Sequence, residues 1–167
     1  MPRIKLFLIA TAFAAVACSG PSSPLQPGDR APDFRADDLT GRTIYLNAEL
    51  SRPVLLTFYA TWCVPCRDEV PLLIDLHERL GEKVRVLCVV ADPENKDKVR
   101  SFASSLSIPY PLLMDKEQRI MAAYKVKKLP ASFLIGTDGR IHSVFNALGT
   151  DELPALEEAI GRCERNQ

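Results

Sequence analysis

The chain has 167 residues, with 21 Lys and Arg against 21 Asp and Glu, and is 47% hydrophobic. That length and apolar share suit one globular domain with a core of its own. The zero net charge lacks the basic surplus that nucleic-acid binding needs. No tract is low in complexity and no segment repeats.

Residues 1–17 read as an export signal. Arg3 and Lys5 precede an apolar run from Leu6 to Ala17, and small residues follow. A run of about a dozen residues falls short of the ~20 that an ordinary membrane span requires. Ala15-Val16-Ala17-Cys18 resembles a bacterial lipobox, with Ala15 where leucine is usual, which makes Cys18 the candidate lipidation site. An ordinary cleaved signal or an uncleaved anchor is the alternative. Residues 18–27, rich in Ser, Pro and Gly, read as a flexible tether to a domain over 28–165. This arrangement implies membrane attachment through the N-terminus only and work in the bacterial cell envelope, facing the periplasm. That compartment is oxidising, so a reducing dithiol there must be recharged by a partner.

The domain opens with Ala31-Pro32-Asp33-Phe34. A turn over 38–42 separates two short strands, the second spanning 43–46. Residues 54–59, β-branched and aromatic, predict a buried strand, and apolar side chains at Val70, Leu73, Leu76 and Leu80 predict a helix over 66–80, kinked at Pro71. The nearly continuous apolar run 84–90 predicts a strand buried on both faces and parallel to the first, with the helix as crossover. A polar stretch then leads into a helix carrying Val99, Phe102, Ala103 and Leu106, followed by an extended segment 108–114 and a short helix 120–124. Runs 132–135 and 141–145 flank Gly136-Thr137-Asp138-Gly139, a hairpin signal. A helix over 151–162 closes the chain. The fold class is therefore α/β, with a central mixed sheet flanked by helices.

Cys63-Val64-Pro65-Cys66 lies where the first buried strand gives way to a helix. Unpaired backbone N–H groups and the positive end of the helix dipole favour a thiolate at Cys63. A thiolate attacks disulfides, and a second thiol three residues on resolves the mixed disulfide. Structural zinc would need a second pair of ligands, but Cys18, Cys88, Cys163, His77 and His142 are all isolated in sequence. No metal or cofactor is expected. Cys88 reads as an inert buried thiol, and a Cys88–Cys163 disulfide would need close Cα atoms. His77 reads as a satisfied packing residue.

Together these segments resemble the thioredoxin superfamily, and more closely its TlpA/ResA-like thiol-disulfide oxidoreductases of the redoxin, AhpC/TSA-like branch. The resemblance rests on residues 28–34, on the run 58–71 containing Trp62-Cys63-Val64-Pro65-Cys66, on 124–135 containing Leu129-Pro130, and on the Asp138-Gly139 turn. It implies a thioredoxin-like fold with an N-terminal β-hairpin and an inserted segment around 92–107. It also implies a cis Pro130 against a Cys63–Cys66 disulfide, and a Leu129 backbone offered to an extended client. Trp62 is implied to shield the cysteine and shape the docking surface. Glu94 stands where related proteins carry an acidic residue that moves the proton of Cys66, with Asp92 as the other candidate. Glu69, three residues after Cys66, is close enough to perturb a thiol or to form a salt bridge at the buried edge. The implied partners are a disulfide-containing client protein and an upstream thiol reductant, with apo-cytochrome c among the clients.

Two rival functions differ in class. A peroxiredoxin-like peroxidase shares the Ala-Pro-Asp-Phe opening, but its Thr-x-x-Cys register is absent, since Thr61 is two before Cys63 and a second cysteine follows at once. A module handling metal or haem would have to capture its ligand through the dithiol alone, for no Met or His cluster accompanies it.

Overall fold

The structure is a computed structural model that describes residues 23–92 and 95–165. Among these, β1 (Arg35–Asp37) and β2 (Thr43–Tyr45) form a small antiparallel hairpin, with Asp38 holding its turn by accepting from the N–H groups of Thr40 and Arg42. The second strand is shorter than its sequence implies. Leu46 is buried and opens a short helix, α1 (Leu46–Glu49), as its N–H turns back to the carbonyl of Phe34.

The main sheet contains β3 (Val54–Tyr59), β4 (Arg85–Val90), β5 (Leu112–Met114), β6 (Ala131–Ile135) and β7 (Ile141–Phe145), in the order β5-β4-β3-β6-β7. β3 pairs parallel with β4 and antiparallel with β6, and β4 pairs parallel with β5, so the sheet is mixed. β3 is buried at every residue and β4 at every residue but Arg85, as their nearly continuous apolar runs require. The crossover from β3 to β4 is α2 (Val64–Leu80). It begins two residues earlier than its apolar spacing shows and runs on through Pro71. Proline has no N–H, so the carbonyl of Arg67 loses its helical donor at that step.

The inserted segment forms α3 (Lys96–Ser105), the crossover from β4 to β5. Asn95 caps it by accepting from the N–H of Lys98 at 2.9 Å. A short 3-10 turn (Lys116–Gln118) and α4 (Arg119–Ala123) lead to β6. β6 and β7 form the expected hairpin, whose turn has Gly139 at φ 73°, a conformation that favours glycine. The last helix, α5 (Leu153–Arg165), starts two residues later and ends three residues later than its sequence pattern implies.

Strand alternation sends side chains to two cores, one on each face of the sheet. Leu55, Tyr59, Val86, Cys88 and Val90 face α2, α3 and α5. Leu56, Phe58, Leu87 and Val89 face the small hairpin, α1 and α4. Leu25, within the segment read as tether, packs against this second core, and Lys125 donates to the carbonyl of Ser23.

Candidate active site

β3 ends at Tyr59, and the chain turns through Ala60–Cys63, closed by the Cys63 N–H on the carbonyl of Ala60 at 3.1 Å. Cys63 is the N-cap of α2, and Pro65 occupies its first turn, where a missing N–H costs nothing. Cys63 and Cys66 form a disulfide. The Cys63 Sγ accepts from the N–H of Cys66 at 3.3 Å, so the sulfur faces the helix's unpaired donors. Opened, it would be a thiolate stabilised by those donors and by the helix dipole. In the disulfide form Cys63 is 5% exposed and Cys66 2%, so both are shielded, Cys66 the more deeply. Trp62 and Val64, on either side of Cys63, are 64% and 68% exposed. The pair thus sits between two bare apolar side chains.

The Leu129–Pro130 peptide is cis. Pro130 is buried and immediately precedes β6, whose Ala131 pairs with Phe58 near the end of β3. Leu129–Pro130 and the active-site turn therefore share one end of the sheet. Leu129 also packs against the core that contains Cys63 and Cys66.

Glu69, one turn beyond Cys66, is 4% exposed and accepts from the backbone N–H of Leu148. Among the described residues no salt bridge involves it. Burial pushes its carboxyl up to about 7, and the charge of Glu152 adds to the rise. Glu69 follows Cys66 by one helical turn, and its charge also acts on the buried Cys88 thiol. Sequence reasoning placed this residue but missed its partner, because Leu148 is 79 positions away.

Of the remaining expected site residues, Cys18 and Glu94 lie outside the described residues. Asp92 is tied to Thr61. Cys88 and Cys163 are buried free thiols and do not pair, and burial raises both above the usual thiol range, which keeps them protonated and unreactive. His77 lies 6.1 Å from Tyr110 ring to ring, but its buried Nδ1 has no hydrogen-bond partner among the described residues, so it is not the satisfied residue its spacing implies.

Residues 27–144 match the AhpC/TSA family. The chain belongs to that family. It is 37% identical over 118 residues to the thiol-disulfide oxidoreductase ResA of Bacillus thuringiensis, covering 70% of this chain and 68% of that protein. A putative thiol:disulfide interchange protein DsbE from Chlorobium tepidum superposes with a TM-score of 0.76 at 28% identity, over 83% of this chain and 98% of its own. The peroxidoxin BcpB of Mycobacterium tuberculosis superposes at 0.70 with 27% identity, over 86% of this chain and 99% of its own. With the paired cysteines at the start of α2, these relatives identify a thiol-disulfide oxidoreductase, which requires a disulfide-containing substrate and a thiol reductant.

Proposed function

We propose that this protein reduces disulfides of exported proteins in the bacterial envelope. In this reading the folded domain of residues 28–165 follows an export signal and tether, and Cys18 is its lipid-modified anchor. The Cys63 thiolate attacks a client sulfur, forming a mixed disulfide, and the departing client thiolate takes up a proton. Cys66 then passes its proton to the Glu69 carboxylate and attacks the Cys63 Sγ. The second client thiolate leaves, and two electrons have moved from the dithiol to the client. A thiol reductant resets the pair.

Two observations support the reducing direction. Val64 and Pro65 supply no histidine to stabilise a thiolate. Glu69, when ionised, opposes a second negative charge at Cys66, which disfavours the reduced form and makes the couple more reducing. The exposed Trp62 and Val64 and the backbone of Leu129, ahead of Pro130, suit an extended apolar client segment laid across the disulfide. Cysteines awaiting haem in apo-cytochrome c fit that description as clients.

The observation that carries the proposal is the Cys63–Cys66 disulfide at the N-terminus of α2, with the buried Glu69 carboxyl one turn below. In the test, a Cys66→Ser protein is exposed to envelope extracts and to insulin, beside a peroxide-consumption assay. Mixed disulfides held through Cys63, with insulin reduced by wild type but not by Cys63→Ser, are the expected result. Peroxide turnover without insulin reduction would favour a peroxidase instead.

A further inference from the structure

Thr61, two residues before Cys63, has all three of its polar groups engaged. Its N–H donates to Asp92 Oδ1 at 3.1 Å and its hydroxyl donates to Asp92 Oδ2. Its carbonyl accepts from Arg67 Nε at 3.2 Å and from Nη2 at 2.8 Å. The residue itself is 1% exposed. The two charged side chains come from different elements. Asp92 follows β4, whereas Arg67 belongs to α2 and holds its guanidinium 5.6 Å from the Phe102 ring of α3. Two charge-assisted, two-pronged contacts therefore grip a single buried threonine at the base of the loop.

The neighbouring Trp62 is 64% exposed. Its position is consequently set through the backbone on either side rather than by packing. In the disulfide form one of those sides is tied covalently, since Cys63 is bonded to Cys66. When the disulfide opens, that tie is gone, and the turn to Ala60 and the grip on Thr61 remain.

We propose that Asp92 and Arg67 are positioning residues which, by clamping Thr61, hold Cys63 and Trp62 in attacking position once the disulfide is open. The inference rests on Cys63 being the nucleophile. Its physical content is that the clamp matters more in the reduced protein than in the oxidised one. It is a restraint on the reactive loop rather than on the fold. α3 takes part through Phe102, which lies against the Arg67 guanidinium.

Trp62 is the chain's only tryptophan, so its fluorescence reports on this loop alone. Three variants of the full-length protein separate the possibilities: Thr61→Val keeps the shape and loses the hydroxyl, Thr61→Ser keeps the hydroxyl, and Arg67→Gln alters an exposed residue. Trp62 anisotropy is measured in both redox states, along with the iodoacetamide rate of reduced Cys63 and insulin-reduction kinetics. In reduced Thr61→Val and Arg67→Gln, Trp62 anisotropy falls and kcat/KM drops about tenfold, the penalty of a misplaced nucleophile. The oxidised proteins match wild type, and Thr61→Ser restores both readouts. A tenfold loss in stability of the reduced form shifts the reduction potential about 30 mV more negative. Reduced variants with wild-type anisotropy, or equal changes in both redox states, would overturn the proposal. The anisotropy reads the loop whether or not Cys63 attacks; that role fails separately, if Cys66→Ser traps no client.

Discussion

On the face of the main sheet toward α2, α3 and α5, the core holds Cys63, Cys66, Glu69, Cys88, Tyr59, Tyr110 and Cys163 among its aliphatic side chains. Among the described residues, buried Tyr110 Oη and His77 Nδ1 on this side have no hydrogen-bond partner, and Tyr59 Oη lies against the Cys88 thiol. The opposite face is built on aromatic edges. Tyr124 lies 5.4 Å from Phe58, 5.2 Å from Phe133 and 6.3 Å from Phe34, and its hydroxyl donates to the carbonyl of Pro32 at 2.9 Å. The same two strands, β3 and β4, supply both cores by alternation. One side is a satisfied aromatic core that secures the fold. The other carries buried titratable groups and orphaned polar atoms, features that reduce stability and that a redox site uses.

This contrast is most severely tested in the aromatic core. Phe133→Ala should cost about 3–5 kcal/mol, read from the urea midpoint, because a buried ring is lost from a packed cluster. The alkylation rate of Cys63 in the folded fraction should be unchanged. A large change in thiol reactivity at the same denaturant concentration would show that the two cores are not separable in function.

A middle-sized effect is expected at Glu69. Its carboxyl is raised from 4.5 to about 7, so between those pH values the folded protein keeps a proton that the unfolded chain has released. Stability therefore declines as pH rises from about 4.5 to about 7, and the full penalty is present above that. Glu69→Gln should abolish this slope and be more stable than wild type at pH 8 by about 1–3 kcal/mol. It should also slow the release of client from the mixed disulfide. A wild-type slope retained in the variant would assign the titration to another group.

The smallest effect distinguishes the two tyrosines. Tyr124→Phe deletes a made hydrogen bond and should lose about 0.5–1.5 kcal/mol. Tyr110→Phe deletes a buried hydroxyl with no partner among the described residues and should be neutral or slightly stabilising. Equal losses in both, measured by urea unfolding, would contradict the division between the cores.

Short-range patterns made much of this legible in the sequence. The strand–turn–helix around Cys63 and Cys66, the parallel β3–α2–β4 unit and the Gly136–Gly139 hairpin all follow from local periodicity and turn residues. The cis peptide at Pro130 came from resemblance alone, as no spacing reveals it. Contacts between distant segments were hidden. Thr61 and Asp92 are 31 residues apart, and Glu69 and Leu148 are 79 apart, and neither pair leaves a periodic trace. The sequence pattern carries the second strand on to Leu46 because Thr43, Ile44 and Tyr45 are good strand formers, whereas tertiary burial of Leu46 ends the strand before it.

The central claim is that Cys63 and Cys66 form a reducing couple, and their reduction potential tests it most directly. The full-length protein would be equilibrated with a graded thiol redox buffer at pH 7, and the fraction of disulfide followed by Trp62 fluorescence or alkylation. The account predicts a potential clearly more negative than about −180 mV, on the reducing side of the isomerase range. A value more positive than that would contradict it and make the protein an oxidant of its clients.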